Sequence, residues 1–242
     1  MACVGALRTF GAPAPLTLVV RLFMSIAVDL SPFDEIHRQH GVAGNALFDA
    51  CSAELFPCDL IGYSVLERSL HLIKSFRLIL ENGGYSTAVG LLRMQLDNIL
   101  RLNGVIMSGD PHHVANLLIQ GTSLSKIKDH SGRPMRDAHL VEMLQKNNPW
   151  VKGVYQLASG YVHLSQEHIL QFTSRCPLKP DGTRDFCIGD EEDHIPESHR
   201  TNLVSGFALV SRGVPRLITE WAQVRHLFGS SKELKMRFDR PA

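Results

Sequence analysis

Tyr155-Gln-Leu-Ala-Ser-Gly-Tyr-Val-His163-Leu-Ser165 crowds groups able to carry protons or hydrogen bonds into an apolar stretch. On a helix, Tyr155, Ser159 and Val162 share one face, and Gly160 admits a close neighbour. His163 falls near the end of that helix, where two roles compete for it. As a cap, it bonds the last carbonyls and gains from the helix dipole. As a functional group, it is a general acid or base, or a phosphate contact, oriented by Tyr161, Ser159 or Ser165. His168 can join it if the helix stops near Leu164.

A second set of charged residues lies far upstream. Arg93, Asp97 and Arg101 are spaced by four, so they line one side of a helix with the two arginines about 12 Å apart. Arg68 and Arg77 on the preceding helix can approach them. One reading is a solvated charge ladder worth a few tenths of a kcal/mol per pair. The other is an inward-facing polar seam, because Leu92, Leu96, Ile99 and Leu100 nearly surround the charges. A buried Asp97 needs an arginine to offset its desolvation. If the two sets meet, Arg93, Asp97, Arg101, Tyr161, His163 and Ser165 form one polar pocket. Arginines grip phosphate or carboxylate bidentately, so that pocket suits an anionic or phosphate-bearing ligand.

Helices must position these residues. Ser31 as N-cap and Pro32 at the first helical position open a helix over 31–57, with Pro57 as its stop. Gly41 and Gly44 weaken its middle and can divide it. Ile61 to Leu80 recur at helical spacing, Asn82-Gly83-Gly84 makes a turn, and helix resumes from Tyr85 to Met107. This long antiparallel helical hairpin is the backbone of the expected fold. Asp110-Pro111 starts another helix, residues 121–136 read as loop, and Asp137 caps a short helix ending at Asn147-Asn148-Pro149. The next helix, 149–164, carries His163. Ile169–Cys176 and Arg184–Ile188 flank Pro180-Asp-Gly-Thr183 as a small β-hairpin. Pro196-Glu-Ser198 opens a final helix to Phe228, kinked at Pro215. The fold class is mainly α: a helical bundle built on the hairpin, with one β-hairpin near residues 169–188. Residues 1–30 are expected to be a loosely attached segment, with Met24 an alternative start; 31–228 form one domain, and 229–242 a frayed basic tail.

Composition narrows the function classes. With 242 residues, the chain is long enough for a substantial core. Its 25 basic and 24 acidic residues leave no global basic footprint for duplex nucleic acid. Five cysteines without a CxxC pair argue for a reduced, cytoplasmic protein and against a zinc site. Arg21 interrupts the apolar N-terminal stretch, whose runs fall well short of the ~20 residues a membrane helix needs. No metal site is expected: Glu35, His37 and His40 lack a further ligand at fitting spacing, and His112 and His113 point to different sides. Cys51 and Cys58 read as buried small apolar residues. The acidic run 189–193 lacks the pattern of a calcium loop and reads as solvated. No Walker loop, dinucleotide fingerprint or nucleophile elbow is present, so no cofactor is expected.

Leu91-Leu-Arg93-Met-Gln-Leu-Asp97, followed by Tyr155 and by Ser159-Gly-Tyr-Val-His163-Leu-Ser165, resembles a group of uncharacterised bacterial helical proteins. In that group an Arg-x3-carboxylate element pairs with a distant Ser-x-Tyr-Val-His-x-Ser element. The resemblance spans about residues 60–225, and the group is itself similar to the HEPN helical bundles. It implies a regulatory or defence-associated module. Some HEPN proteins are metal-independent ribonucleases, which implies a second reading in which His163 moves a proton and Arg93 stabilises the pentacovalent phosphate. Their signature places an arginine ahead of the histidine with four to six residues between them. Here Gln156, Leu157 and Ala158 occupy those positions, so the cation must come from Arg93 or Arg101 on another helix. Partners implied are an anionic small molecule or RNA, and a second copy of the chain. In a third reading, the seam is only structural and function lies in oligomer contacts.

Overall fold

Proline and burial, more than glycine, decide where the first helices run. The computed structural model describes residues 28–52, 54–174, 179–182, 192 and 194–228. Helix α1 spans Pro32–Cys51 without a break at Gly41 or Gly44. Its buried Phe33, Ile36, His40, Ala43, Leu47 and Cys51 recur every three or four residues, and that packed stripe outweighs the glycine cost. Ser31 stands at the N-cap position but makes no side-chain capping bond. The helix ends at Cys51, where Ser52 turns left-handed (φ 46°), and not at Pro57. Pro57 instead opens α2 (Pro57–Glu81), having no N–H that a first turn would need. Val28 and Leu30, expected to belong to a loose segment, pack against the core. Residues 1–27 and the tail 229–242 lie outside the described residues.

The expected hairpin is present. After Glu81 the chain turns through Gly83 (φ 83°) into α3 (Tyr85–Ile106), which runs back along α2. Asp110 caps α4 (Pro111–Ile119) by accepting the His113 N–H at 3.0 Å. The loop after it holds a short 3-10 turn and one isolated antiparallel bridge, Lys128 to Pro134. Then come α5 (Asp137–Gln145), α6 (Trp150–Val162) and α7 (Gln166–Ser174). Helix α8 (Glu197–Val224) contains Pro215 and continues as a 3-10 turn to Phe228. It packs on both α1 and α3, and the stacked rings of Phe76 and Phe207, 3.8 Å apart, meet Phe33 edge-on at the centre.

The β-hairpin reading fails on its first arm. Ile169, Leu170 and Phe172 lie in α7, and no strand occurs among the described residues. A short apolar run carries no periodicity long enough to separate strand from helix. The second arm, 184–188, lies outside the described residues. Asp137 was expected to cap α5, but it is the first helical residue, after Arg136 at the cap position. Glu192, from the run read as solvated, instead accepts the Ser86 N–H at 3.1 Å and the Ser86 hydroxyl, closing the first turn of α3.

Two buried polar systems hold the helices in place. At one end Asp59 is fully buried, and Arg225 grips it bidentately at 2.7 and 3.1 Å. The Trp221 indole and the Phe56 N–H donate to the same carboxylate at 2.9 Å. Arg225 also donates to the carbonyls of Ala50 and Glu54, tying α8 to the α1–α2 junction. Burial alone would raise the Asp59 carboxyl, but these donors outweigh it and hold it below its ordinary value. In the middle of the bundle, Arg68 donates to Asn98 (2.5 Å), Asn98 to Gln95 (3.0 Å), and Gln95 to both Ser69 (2.6 Å) and Ser211 (3.0 Å). His40 Nδ1 donates to the Ile36 carbonyl at 2.8 Å, so Nε2 is left to accept from Ser69 at 2.7 Å. With His40 neutral, every donor points the same way along this chain.

Replacing Asp59 by Asn strands the Arg225 cation. We expect Asp59→Asn to lower unfolding free energy by about 3–5 kcal/mol, read from urea denaturation. Burial also pushes His40 and His112 below their ordinary value of 6.5. Below pH 6.5 the unfolded chain therefore binds protons that the folded chain refuses, so stability falls as pH drops through that window. Urea midpoints measured between pH 7.5 and 5 should decline, and His40→Gln should flatten the decline.

Candidate functional site

On α3 the spacing of four sets Arg93, Asp97 and Arg101 in a row, and the packing of α5 and α6 turns that row into a seam. The side chains of Arg93 and Asp97 are only 13% and 16% exposed, which decides against a solvated ladder. The Arg93 guanidinium lies over the Tyr155 ring, 4.4 Å from its centre, and its Nε donates to the Ser159 hydroxyl at 3.2 Å. Its Nη2 donates to Asp137 at 2.8 Å, and Nη1 lies 3.5 Å from Asp97. Arg101 donates to Asp97 at 2.7 Å and reaches the other oxygen of Asp137 at 3.4 Å. Arg68 adds a third cation 3.7 Å from Asp97. Burial alone would lower Arg101, but its bond to Asp97 and the nearby Asp137 raise it. Three guanidinium groups thus surround two carboxylates. Arg68 and Arg101 keep roughly two-fifths of their side-chain surface open, at 43% and 41%.

The histidine end of α6 is arranged differently. Tyr155 and Ser159 face α3, as their spacing suggests. His163 is the C-cap residue: its backbone N–H donates to the Ser159 carbonyl at 3.4 Å, while the side chain is exposed. No hydrogen bond or ion pair among the described residues joins its ring to Arg93 or Arg101. Tyr161 is half-buried, edge-on to Tyr85 and tilted against His168. The Ser165 hydroxyl donates to the Gly160 carbonyl at 2.7 Å. Arg93, Asp97 and Arg101 are therefore brought together with one another, with Asp137, and with the middle of α6. Tyr161, His163 and Ser165 sit at the end of that helix. Asp137 is the member that sequence reasoning missed. Its partners lie 36 and 44 positions away, and no local periodicity reports such a pairing.

A further constellation lies between α3, α5, α8 and the loop 129–133, around a cleft of about 750 Å³. Asp129 accepts the Ser131 N–H and hydroxyl, the Arg133 N–H, and His139 Nε2 at 2.7 Å. Burial would raise its carboxyl, but these bonds hold it well below the usual range. His139 Nδ1 is buried without a hydrogen-bond partner, 3.8 Å from Glu142. Asp129 to Gly132 fall in the stretch read as loop, where an aspartate readily bonds its own backbone. Its pairing with a histidine on α5 was not legible.

Glu35 is held by Arg38 and Gln39, and His40 belongs to the core chain. No group of three or more metal-ligating side chains occurs among the described residues. Cys51 and Cys58 are buried, and burial pushes the Cys51 thiol up to about 11 and Cys58 higher still, so neither is a ready nucleophile. No described helix is long and apolar enough to cross a membrane. Compared with protein-family models, curated proteins and solved structures, the chain matches none.

The unequal burial of the two arginines sets an order. Arg93→Gln should lower unfolding free energy by about 1.5–3 kcal/mol, because it removes charged hydrogen bonds from a sheltered site. Arg101→Gln should cost about 1 kcal/mol or less, solvent screening its half-open pairs. The two urea curves check this, and the reverse order would contradict the seam.

Proposed function

We propose that the chain is a non-enzymatic module that binds an anionic or phosphate-bearing ligand at the Arg68–Arg93–Arg101 seam. One observation carries the reading: Arg93 and Arg101, eight residues apart on α3, close on the two oxygens of a single carboxylate, Asp137. Guanidinium groups offer the same paired donors to phosphate. Asp137 is 37% exposed on the first turn of α5, so its side chain can be displaced by a stronger anion. The excess of one cation in the seam favours that exchange. The regulatory or defence-associated role implied by the resemblance is attached to this reading.

A ribonuclease is the second reading, favoured by one contact. Arg93 bonds the Ser159 side chain, and the Ser159 carbonyl receives the His163 N–H, so the cation lies within a turn of an exposed histidine. In that reading His163 moves the proton and Arg93 steadies the phosphate, with RNA as substrate.

Titration calorimetry with inorganic phosphate tests the first reading. Asp137→Asn should bind phosphate at least about tenfold more tightly than the parent, a gain of about 1.4 kcal/mol. Arg93→Gln should abolish binding. If parent and Asp137→Asn are both folded and neither binds phosphate, the seam is structural and function lies in contacts between copies. Incubation with RNA tests the second reading: cleavage that persists unchanged in His163→Ala removes the histidine from it.

A further inference from the structure

Residues two apart on a helix lie about 200° round its axis. Hence Ile99 and Asn103 face away from the arginine row on α3, as His139 faces away from Asp137 on α5. These turned-away residues line the cleft of about 750 Å³. Its size is that of a small-molecule site, too small for a folded partner.

The lining is divided by chemistry. Ile99, Met143, Leu144, Trp150 and Leu217 supply an apolar wall, in which Trp150 is half-buried. Lys146, Arg212 and Arg216 stand at the cleft with exposed side chains. Arg216 is held by Glu220, and Arg133 by Glu142. Lys146 and Arg212 form no ion pair among the described residues. Asp129, the buried acid of the lining, is already committed to His139 and the loop amides. The cleft therefore presents an apolar interior lined by more cations than carboxylates: Arg133, Lys146, Arg212 and Arg216 against Asp129 and Glu220.

His139 adds an independent observation. Its Nε2 is tied to Asp129, while Nδ1 of this ring, nine-tenths buried in the cleft lining, has no hydrogen-bond partner and lies 3.8 Å from Glu142. A buried polar atom without a partner is rare in folded proteins, and water, an ion or a functional role is the usual explanation.

We propose that the α3–α5–α8 cleft binds a small organic anion: an apolar, ring-sized body against Trp150 and Met143, with its acidic group at Lys146 and Arg212. The site is separate from the phosphate seam, lies on the other side of α3 and α5, and is tested with a different probe. Neither inference depends on the other.

The probe is 8-anilinonaphthalene-1-sulfonate, an aromatic sulfonate whose fluorescence rises on burial. The full chain should bind it saturably at one site. The Lys146→Gln/Arg212→Gln double variant, altered only at exposed positions, should bind it at least about tenfold more weakly while keeping its helical circular dichroism. N-phenyl-1-naphthylamine, which lacks the sulfonate, should bind the parent chain more weakly by a similar factor. Leu164, 88% exposed beyond α6, belongs to a separate apolar surface. Leu164→Ser should leave binding unchanged. Binding that falls in Leu164→Ser and survives in the double variant would overturn the proposal, as would the absence of saturable binding.

Discussion

Gln95 sits where α1, α2, α3 and α8 meet, and its amide is satisfied in one arrangement of them. It donates to Ser69 on α2 and Ser211 on α8, and accepts from Asn98 one turn along α3. Through Ser69 the chain reaches His40 on α1. Apolar contacts around it tolerate small slips between helices. A buried amide does not, because each lost bond leaves a polar group stranded away from water. The register of the bundle depends on this chain. Its outer end, Arg68, is also a member of the arginine seam, so core register and seam geometry are set by one continuous set of bonds.

That coupling explains why the seam is sheltered. Asn98 must point into the bundle to meet Gln95, and this fixes the rotation of α3 about its own axis. Asp97 and Arg93 are then turned toward α5 and α6. There Tyr155 covers the Arg93 face and Asp137 closes the end. The opposite side of α3 is turned by the same rotation toward α8 and the cleft. One helix thus separates two surfaces of different chemistry: a charged seam with its ions largely paired, and an apolar cleft edged by four cations, two of which are paired.

The helical elements were largely legible before the structure. Capping signals at Asp110-Pro111 and the turn at Asn82-Gly83-Gly84 act within a few residues, and the structure follows them. The errors fall where a distant contact overrules a local rule. Gly41 and Gly44 do not break α1, because its opposite stripe is buried. Ile169 to Phe172 form helix and not strand, in a run too short for its period to speak. Glu192 looked solvated, yet it closes a helix 106 residues away. In the site, Arg93, Asp97 and Arg101 were found by their spacing, while Asp137, Asp129 and His139 were not.

By itself the sequence determined the mainly helical class, the α2–α3 hairpin, the shared side of Arg93, Asp97 and Arg101, and the capping position of His163. These follow from residue periods and from turn chemistry, which act over one or two turns. Tertiary structure alone decided which carboxylate the arginines hold, that His139 pairs with Asp129, and that a cleft opens between α3, α5 and α8. Such pairings join residues far apart in the chain, and only the packed rotation of each helix selects them. His163 shows the division most plainly. Its place at the end of a helix was written in the local sequence, whereas its distance from a cation was set by how α6 packs on α3.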